Sequence, residues 1–144
     1  MAKVEDIITN KVTPVSPTTP IMEVARQMRD SRQSIIPVCE NDKLRGIISE
    51  KDIIYNLVAV GQSAKKENAA KLMTNGSPKV PFGCDVVEAA KIMANNGINY
   101  LPVVQNGGKY VGILTLNDLI QESIVLASMV MATSSGQGSV SLSK

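Results

Sequence analysis

The chain states one pattern twice. Displaced by 65 positions, residues 4–42 fall on residues 69–107. Thr9 meets Thr74, Asn10 meets Asn75, Val15 meets Val80 and Glu23 meets Glu88. Ala25 meets Ala90, Met28 meets Met93, and Pro37-Val38 lands on Pro102-Val103. One extra glycine in Asn106-Gly107-Gly108 moves the displacement to 66, after which Gly46-Ile47 meets Gly112-Ile113, Asp52 meets Asp118 and Ile54 meets Ile120. A repeat of this length is a whole supersecondary unit, and two copies can bury their apolar faces against each other. Function is to be sought where the copies agree, and asymmetry where they differ.

Each copy opens with a short amphipathic piece, Val4–Thr9 and Ala69–Thr74. A short strand is expected at Val12–Val15 and at Lys79–Val80, followed by loops at Ser16–Pro20 and Pro81–Asp85. A helix comes next. Ile21, Val24, Ala25 and Met28 keep the i, i+3, i+4, i+7 spacing of one buried stripe, and Val86, Ala89, Ala90 and Met93 repeat it. Arg26, Arg29, Asp30, Lys91 and Asn95 then face outward. A hairpin follows: Ile35–Cys39, the turn Asn41-Asp42 and Leu44–Ile48, mirrored by Tyr100–Val104, Asn106-Gly107-Gly108 and Tyr110–Leu114. A second helix, about Glu50–Val60 and Leu116–Ala127, closes each unit.

The expected fold is thus α/β (α+β), two β-α-β-β-α repeats over residues 3–60 and 69–127 with a linker at 61–68. Residues 128–144 read as a flexible tail by composition, although Met129-Val130-Met131 can extend the last helix.

Composition narrows the function classes. Only 3% of the 144 residues are aromatic, so the core must be aliphatic. A net charge of +2, with Lys65-Lys66 the only basic doublet, makes nucleic acid an improbable partner despite a pI near 8.6. The start of the chain carries charge where a signal peptide needs an apolar region, so the expected location is cytoplasmic. No apolar run approaches a membrane span. There is no histidine. Cys39 and Cys84 occupy non-equivalent places, so neither a disulfide nor a metal site is expected.

The chemistry concentrates in Gly46-Ile47-Ile48-Ser49-Glu50-Lys51-Asp52 and its echo Gly112-Ile113-Leu114-Thr115-Leu116-Asn117-Asp118. Both read glycine, two apolar residues, a hydroxyl, two variable residues and an aspartate. Ser-x-x-Asp and Thr-x-x-Asp form N-capping boxes, which need no ligand. The same geometry also offers unpaired N–H groups to a phosphate and a carboxylate to ribose hydroxyls. Repetition at the end of two Pro-containing hairpins favours the binding reading. Pro37 and Pro102 cannot donate a ladder bond and mark a place where the backbone can face something other than a strand.

The ordered set of motifs resembles a tandem pair of CBS domains, the cystathionine-β-synthase-type regulatory (Bateman) module. The carrying residues are Asp6–Thr9 and Lys71–Thr74, Glu23-Val24-Ala25 and Glu88-Ala89-Ala90, Ile36-Pro37-Val38 and Leu101-Pro102-Val103, and the two Gly-x-x-Ser/Thr-x-x-Asp stretches. Together they span roughly residues 3–127. The resemblance implies two three-stranded sheets packed about a pseudo-twofold axis. It also implies two clefts between the repeats for adenosine-containing ligands.

Carried over by position, Asp52 and Asp118 hold ribose hydroxyls, and Ser49 and Thr115 touch ribose or phosphate. Thr13-Pro14 and Pro78-Lys79 line the adenine with backbone groups. Ile35 and Tyr100 form apolar walls. Lys51 pairs with a phosphate, while its counterpart Asn117 carries no charge. Ser34-Ile35 and Asn99-Tyr100 stand where the family often has basic or histidine residues. Met22, Met28, Met93, Ile54, Leu57 and Val58 are read as core by default, with an interface as the alternative. The resemblance further implies disc-shaped homodimers built from helix–helix contacts.

An enzyme is not expected: there is no histidine, no cysteine with a base partner and no close carboxylate pair on one element. The expected function is a stand-alone sensor that binds AMP, ADP, ATP or S-adenosylmethionine and signals to an effector protein. The alternative is a structural dimerisation module with vestigial clefts.

Overall fold

The computed structural model describes residues 2–8 and 11–134. Its elements divide into two compact units, and their boundaries are not those of the sequence repeats. The early unit holds Val12–Ser77 and Gly107–Tyr110, whereas the late unit holds the described residues up to Lys11, Pro78–Asn106 and Val111 onward. The amphipathic piece that opens each repeat therefore belongs to the compact unit of the other.

In the early unit, α2 (Ile21–Ser31) follows α1 (Val4–Ile7) in chain order and starts after Pro20. Pro20 takes extended backbone at the N-cap, where its missing N–H costs no helical bond. Ile21, Val24 and Met28 are buried, the expected stripe, while Arg26, Arg29 and Asp30 are exposed. The helix ends with Arg32 in the left-handed region at φ 56°, where the second repeat has Gly97 at φ 64°.

The hairpin pairs β1 (Ile35–Glu40) with β2 (Lys43–Ser49) in antiparallel register. Asn41 and Asp42 turn it with φ of 54° and 66°, two left-handed residues of the kind that match the right-handed twist of the strands. The strand expected over Val12–Val15 shrinks to a single parallel bridge from Val15 to Val38. Val15 donates to the Pro37 carbonyl at 3.0 Å, and Cys39 donates to the Val15 carbonyl at 2.8 Å. Pro14 and Pro17 flank this point without N–H groups, so the ladder cannot extend. The early sheet is accordingly two-stranded, not three-stranded as the resemblance implies.

That bridge also explains Pro37. The N–H and C=O of a strand residue point to the same side, and the Pro37 carbonyl points toward Val15. The missing donor is therefore on that side too, and the β1–β2 ladder loses nothing.

After β2 comes α3 (Glu50–Ile53), which continues as a π-helical turn over Ile54–Val58. Ala59 donates to the Ile54 carbonyl at 2.9 Å, five residues back. The single α-helix expected over Glu50–Val60 is thus a short α-turn and a π-turn, of which only Leu57 is buried. α4 (Ala69–Leu72) docks through Ala69 N–H to the Thr19 carbonyl at 2.8 Å and Ala70 N–H to the Pro17 carbonyl at 2.9 Å. Thr74 then exchanges two backbone bonds with Ile47, at 2.8 and 3.2 Å. A Cβ on Gly46 would sit 2.8 Å from the Thr74 carbonyl oxygen, so this crossing requires glycine.

In the late unit, β3 (Val80–Pro81) runs parallel to β4 (Tyr100–Val104), and β5 (Tyr110–Thr115) completes a three-stranded sheet in the order β3-β4-β5. α5 (Val86–Asn96) is capped by Asp85, whose carboxylate accepts from Val87 N–H at 2.8 Å. Val86, Ala89, Ala90 and Met93 are buried, and Lys91 and Asn95 are exposed. α1 anchors here: Val4 N–H donates to the Cys84 carbonyl at 2.8 Å, and Val86 N–H donates to the Ala2 carbonyl at 3.0 Å.

The second helix of this repeat is α6 (Leu116–Glu122), broken at an extended Ser123 and resumed as α7 (Ile124–Ser134). Ala127 and Val130 of α7 are fully buried in a core shared with Ala89, Ala90 and Met93. Residues 128–134 are therefore helix rather than the start of a tail, and Met129-Val130-Met131 do extend the helix. The rest of the expected tail, 135–144, lies outside the described residues. The buried side chains are almost all aliphatic, and both cysteines are free thiols. No helix among the described residues is long and apolar enough to cross a membrane.

Candidate functional site

Both repeated motifs fold as complete capping boxes. Ser49 ends β2 in extended backbone, and its Oγ accepts from Asp52 N–H at 3.1 Å. Ser49 N–H returns a bond to Asp52 Oδ2 at 2.8 Å. Thr115 and Asp118 repeat the exchange at 3.2 and 2.9 Å. The residue between cap and acid is also tied down on one side. Glu50 N–H donates to the Ser34 carbonyl at 3.0 Å, and Leu116 N–H donates to the Asn99 carbonyl at 2.9 Å. The first and third helical N–H groups are thereby satisfied, and the box leaves those of Lys51 and Asn117 outside it.

The two acids differ in setting. Asp118 is only 4% exposed, whereas Asp52 is half-buried. In the early box one oxygen, Oδ2, serves the cap, so Asp52 retains a second oxygen able to accept from outside. Capping and ligand binding thus do not exclude each other at this residue.

Strand register brings some expected residues together. Ile35 pairs directly with Ser49, so the apolar wall and the hydroxyl are neighbours across the hairpin. Tyr100 heads β4 as Ile35 heads β1, and both are half-buried. Lys51 and Asn117 are exposed. Pro37 and Pro102 are buried inside their strands. For Pro37, the carbonyl accepts from Val15 N–H at an isolated bridge, which accounts for the backbone on that side.

Thr13 is exposed, and Gln27 Nε2 of α2 donates to its carbonyl at 2.5 Å. Pro14 lines an open groove of about 800 Å³ together with Val15, Ser16, Thr19 and the outer face of α2. Ser49, Lys51 and Asp52 are not part of that lining. Pro78 and Lys79 lead into β3, the former half-buried and the latter exposed. A smaller groove of about 410 Å³ beside Phe82, Gly83, Val104 and Gln105 holds none of the expected residues.

Among the described residues no group of three His, Cys, Asp or Glu side chains is placed to hold a metal.

A family model for the CBS domain matches the chain twice, over residues 4–59 and 62–124. The chain belongs to the CBS-domain family. Among curated relatives, it is 33% identical over 126 residues to the Methanopyrus kandleri protein MK0525, with 87% of this chain and 62% of that protein covered. The chain thus spans less than two thirds of that relative. It is 32% identical over 122 residues to the CBS domain-containing protein YhcV of Bacillus subtilis, covering 83% of this chain and 84% of that protein. Among solved structures, CBSX2 from Arabidopsis thaliana, crystallised with AMP, superposes with a TM-score of 0.74 at 22% identity, over 88% of this chain and 98% of that one. At that identity the likeness speaks for the fold.

Proposed function

We propose that this CBS pair is a regulatory module that binds an adenosine-containing ligand, AMP, ADP, ATP or S-adenosylmethionine, and passes the occupied state to an effector protein. The observation that carries the reading is the pair of identical capping boxes. Each places a hydroxyl, a helical N–H not used by the box and a carboxylate within one helical turn, a donor and acceptor set suited to ribose and phosphate. The AMP held by the structurally similar CBSX2 supports the same ligand class.

Within this reading, Asp52 and Asp118 accept from ribose hydroxyls, while Ser49 and Thr115 contact ribose or phosphate. Thr13-Pro14 and Pro78-Lys79 present backbone groups to the base, and Ile35 and Tyr100 wall the sugar. Lys51 makes the early unit the better site for a phosphorylated ligand. No catalytic residue is assigned, and binding acts by shifting conformational populations.

A second reading is favoured by the same bonds. Each box is complete without a ligand, as expected of a structural dimerisation module with vestigial sites. Thermal melting separates the two. A ligand present at 100 times its Kd adds about 2.7 kcal/mol of stability. A rise in Tm with at least one of the four ligands supports the sensor; no rise with any of them supports the structural module.

A further inference from the structure

We propose that Arg32 is a specificity-determining residue of the early unit, the one that distinguishes a phosphorylated adenosine ligand from the bare nucleoside. The proposal rests on the adenosine-binding reading above and adds which side chain holds the phosphate. Arg32 closes α2 in the left-handed region, at φ 56° and ψ 39°, and its N–H donates to the Met28 carbonyl. A residue with a Cβ is disfavoured there, and the second repeat places Gly97 at the same point. The turn itself therefore does not call for arginine, because glycine makes it without the strain.

Arg32 is also the arginine without a carboxylate. The chain has four arginines, all in the first repeat. Arg26 pairs with Glu23, Arg29 with Asp30 and Arg45 with Glu40. Among the described residues no acid pairs with Arg32, and it is exposed. The helix end does not call for it either, since Arg29 already supplies a cation in the last turn.

Its place in the chain joins Arg32 to the capping box. Ser34, two residues on, gives its carbonyl to Glu50 N–H at 3.0 Å, so at most about 7 Å of chain lies between Arg32 and the residue bonded to the box. Lys51, next after Glu50, is likewise exposed and unpaired. A guanidinium presents a planar fork that binds two phosphate oxygens at once, and an ammonium adds a point charge. In the second repeat the equivalents, Gly97 and Asn117, carry no charge.

The test is calorimetric titration of the full chain with AMP and with adenosine, for the unaltered protein and for Arg32→Gly, which copies the second repeat. Glycine suits the left-handed position, so this variant is expected to fold, and its melting curve checks that. AMP affinity is expected to fall about 3- to 10-fold, the range of an exposed charge-assisted contact, with adenosine affinity unchanged. Added salt should weaken the AMP preference of the unaltered protein more than that of the variant. Arg32→Asn, which also tolerates left-handed backbone, gives the same reading if Arg32→Gly folds poorly. An unchanged AMP-to-adenosine ratio, an equal fall for both, or no AMP preference in the unaltered protein overturns the role of Arg32 and leaves the adenosine-binding reading intact. Failure of the unaltered protein to bind AMP, ADP, ATP or S-adenosylmethionine overturns both.

Discussion

Tyr110 donates its phenolic hydroxyl to the Val12 carbonyl at 2.6 Å, joining residues 98 positions apart. This bond ties the turn of the second repeat's hairpin into the early unit. Tyr110 N–H donates to the Asp42 carbonyl at 2.9 Å in the same place. Both Tyr110 and Val12 are buried, so Tyr110→Phe leaves an acceptor without its partner. We expect a loss of about 1–2 kcal/mol, measured by urea unfolding.

The same neighbourhood sets the alkaline limit. Burial first, then nearby Cys39, raises the Tyr110 phenol well above its ordinary value, against the opposing bond to Val12. Burial, with Asp42 adding, pushes the Cys39 thiol up to about 11. Groups whose pKa is raised on folding hold their proton more tightly in the native state. Their contribution is complete below the unfolded pKa values and is lost as pH rises past them. Stability is therefore expected to fall from about pH 9 upward, and Cys39→Ser should flatten the first part of the fall.

Gly46 is a packing requirement rather than a turn. Its missing Cβ admits the Thr74 carbonyl, a backbone atom that cannot swing away. Gly46→Ala should cost about 1–3 kcal/mol, read as a lower unfolding midpoint. A stability loss below about 0.5 kcal/mol would mean that this crossing is looser than described.

The capping boxes give a graded pair of outcomes. Ser49→Ala and Thr115→Ala should each cost about 1 kcal/mol. Asp118→Ala should cost more than Asp52→Ala, because Asp118 is nearly buried and its loss leaves the Thr115 N–H without its acceptor. Equal losses at the two acids would show that the two boxes are energetically alike.

These boxes were legible in the sequence because everything they need lies within four residues: a hydroxyl, an acid and the end of a strand. The hairpins were legible for the same reason, from Asn41-Asp42 and the flanking apolar residues. What escaped was non-local. Nothing near Val4 indicates that it will bond to Cys84, so the exchange of the opening segments between compact units could not be foreseen. The Val12–Val15 strand failed because prolines at 14 and 17 remove donors, a local signal that the apolar valines outweighed. The π-turn at Ile54–Val58 has no marker in composition, and the break at Ser123 is a single residue in an otherwise helical pattern. At the candidate site, the acids and hydroxyls were read from repetition.

Self-association has its own observable. Ile54, Tyr55 and Val58 are 52%, 61% and 64% exposed on the second helix of the early unit. A ridge of this kind is costly to leave in water and fits a helix–helix contact with a second copy. Light scattering is expected to show a homodimer at micromolar concentration, with Val58→Glu monomeric, still folded, and melting lower by the stability the dimer contact adds. A monomeric unaltered protein would refute the contact.

The most direct measurement is calorimetric titration of AMP into the unaltered protein and into a variant carrying both Asp52→Ala and Asp118→Ala, with folding of each confirmed by its melting curve. Saturable binding by the unaltered protein, and its loss in the folded double variant, is the predicted result. Binding that persists at equal affinity after both carboxylates are removed would contradict the assignment of these two acids as the ribose-holding groups.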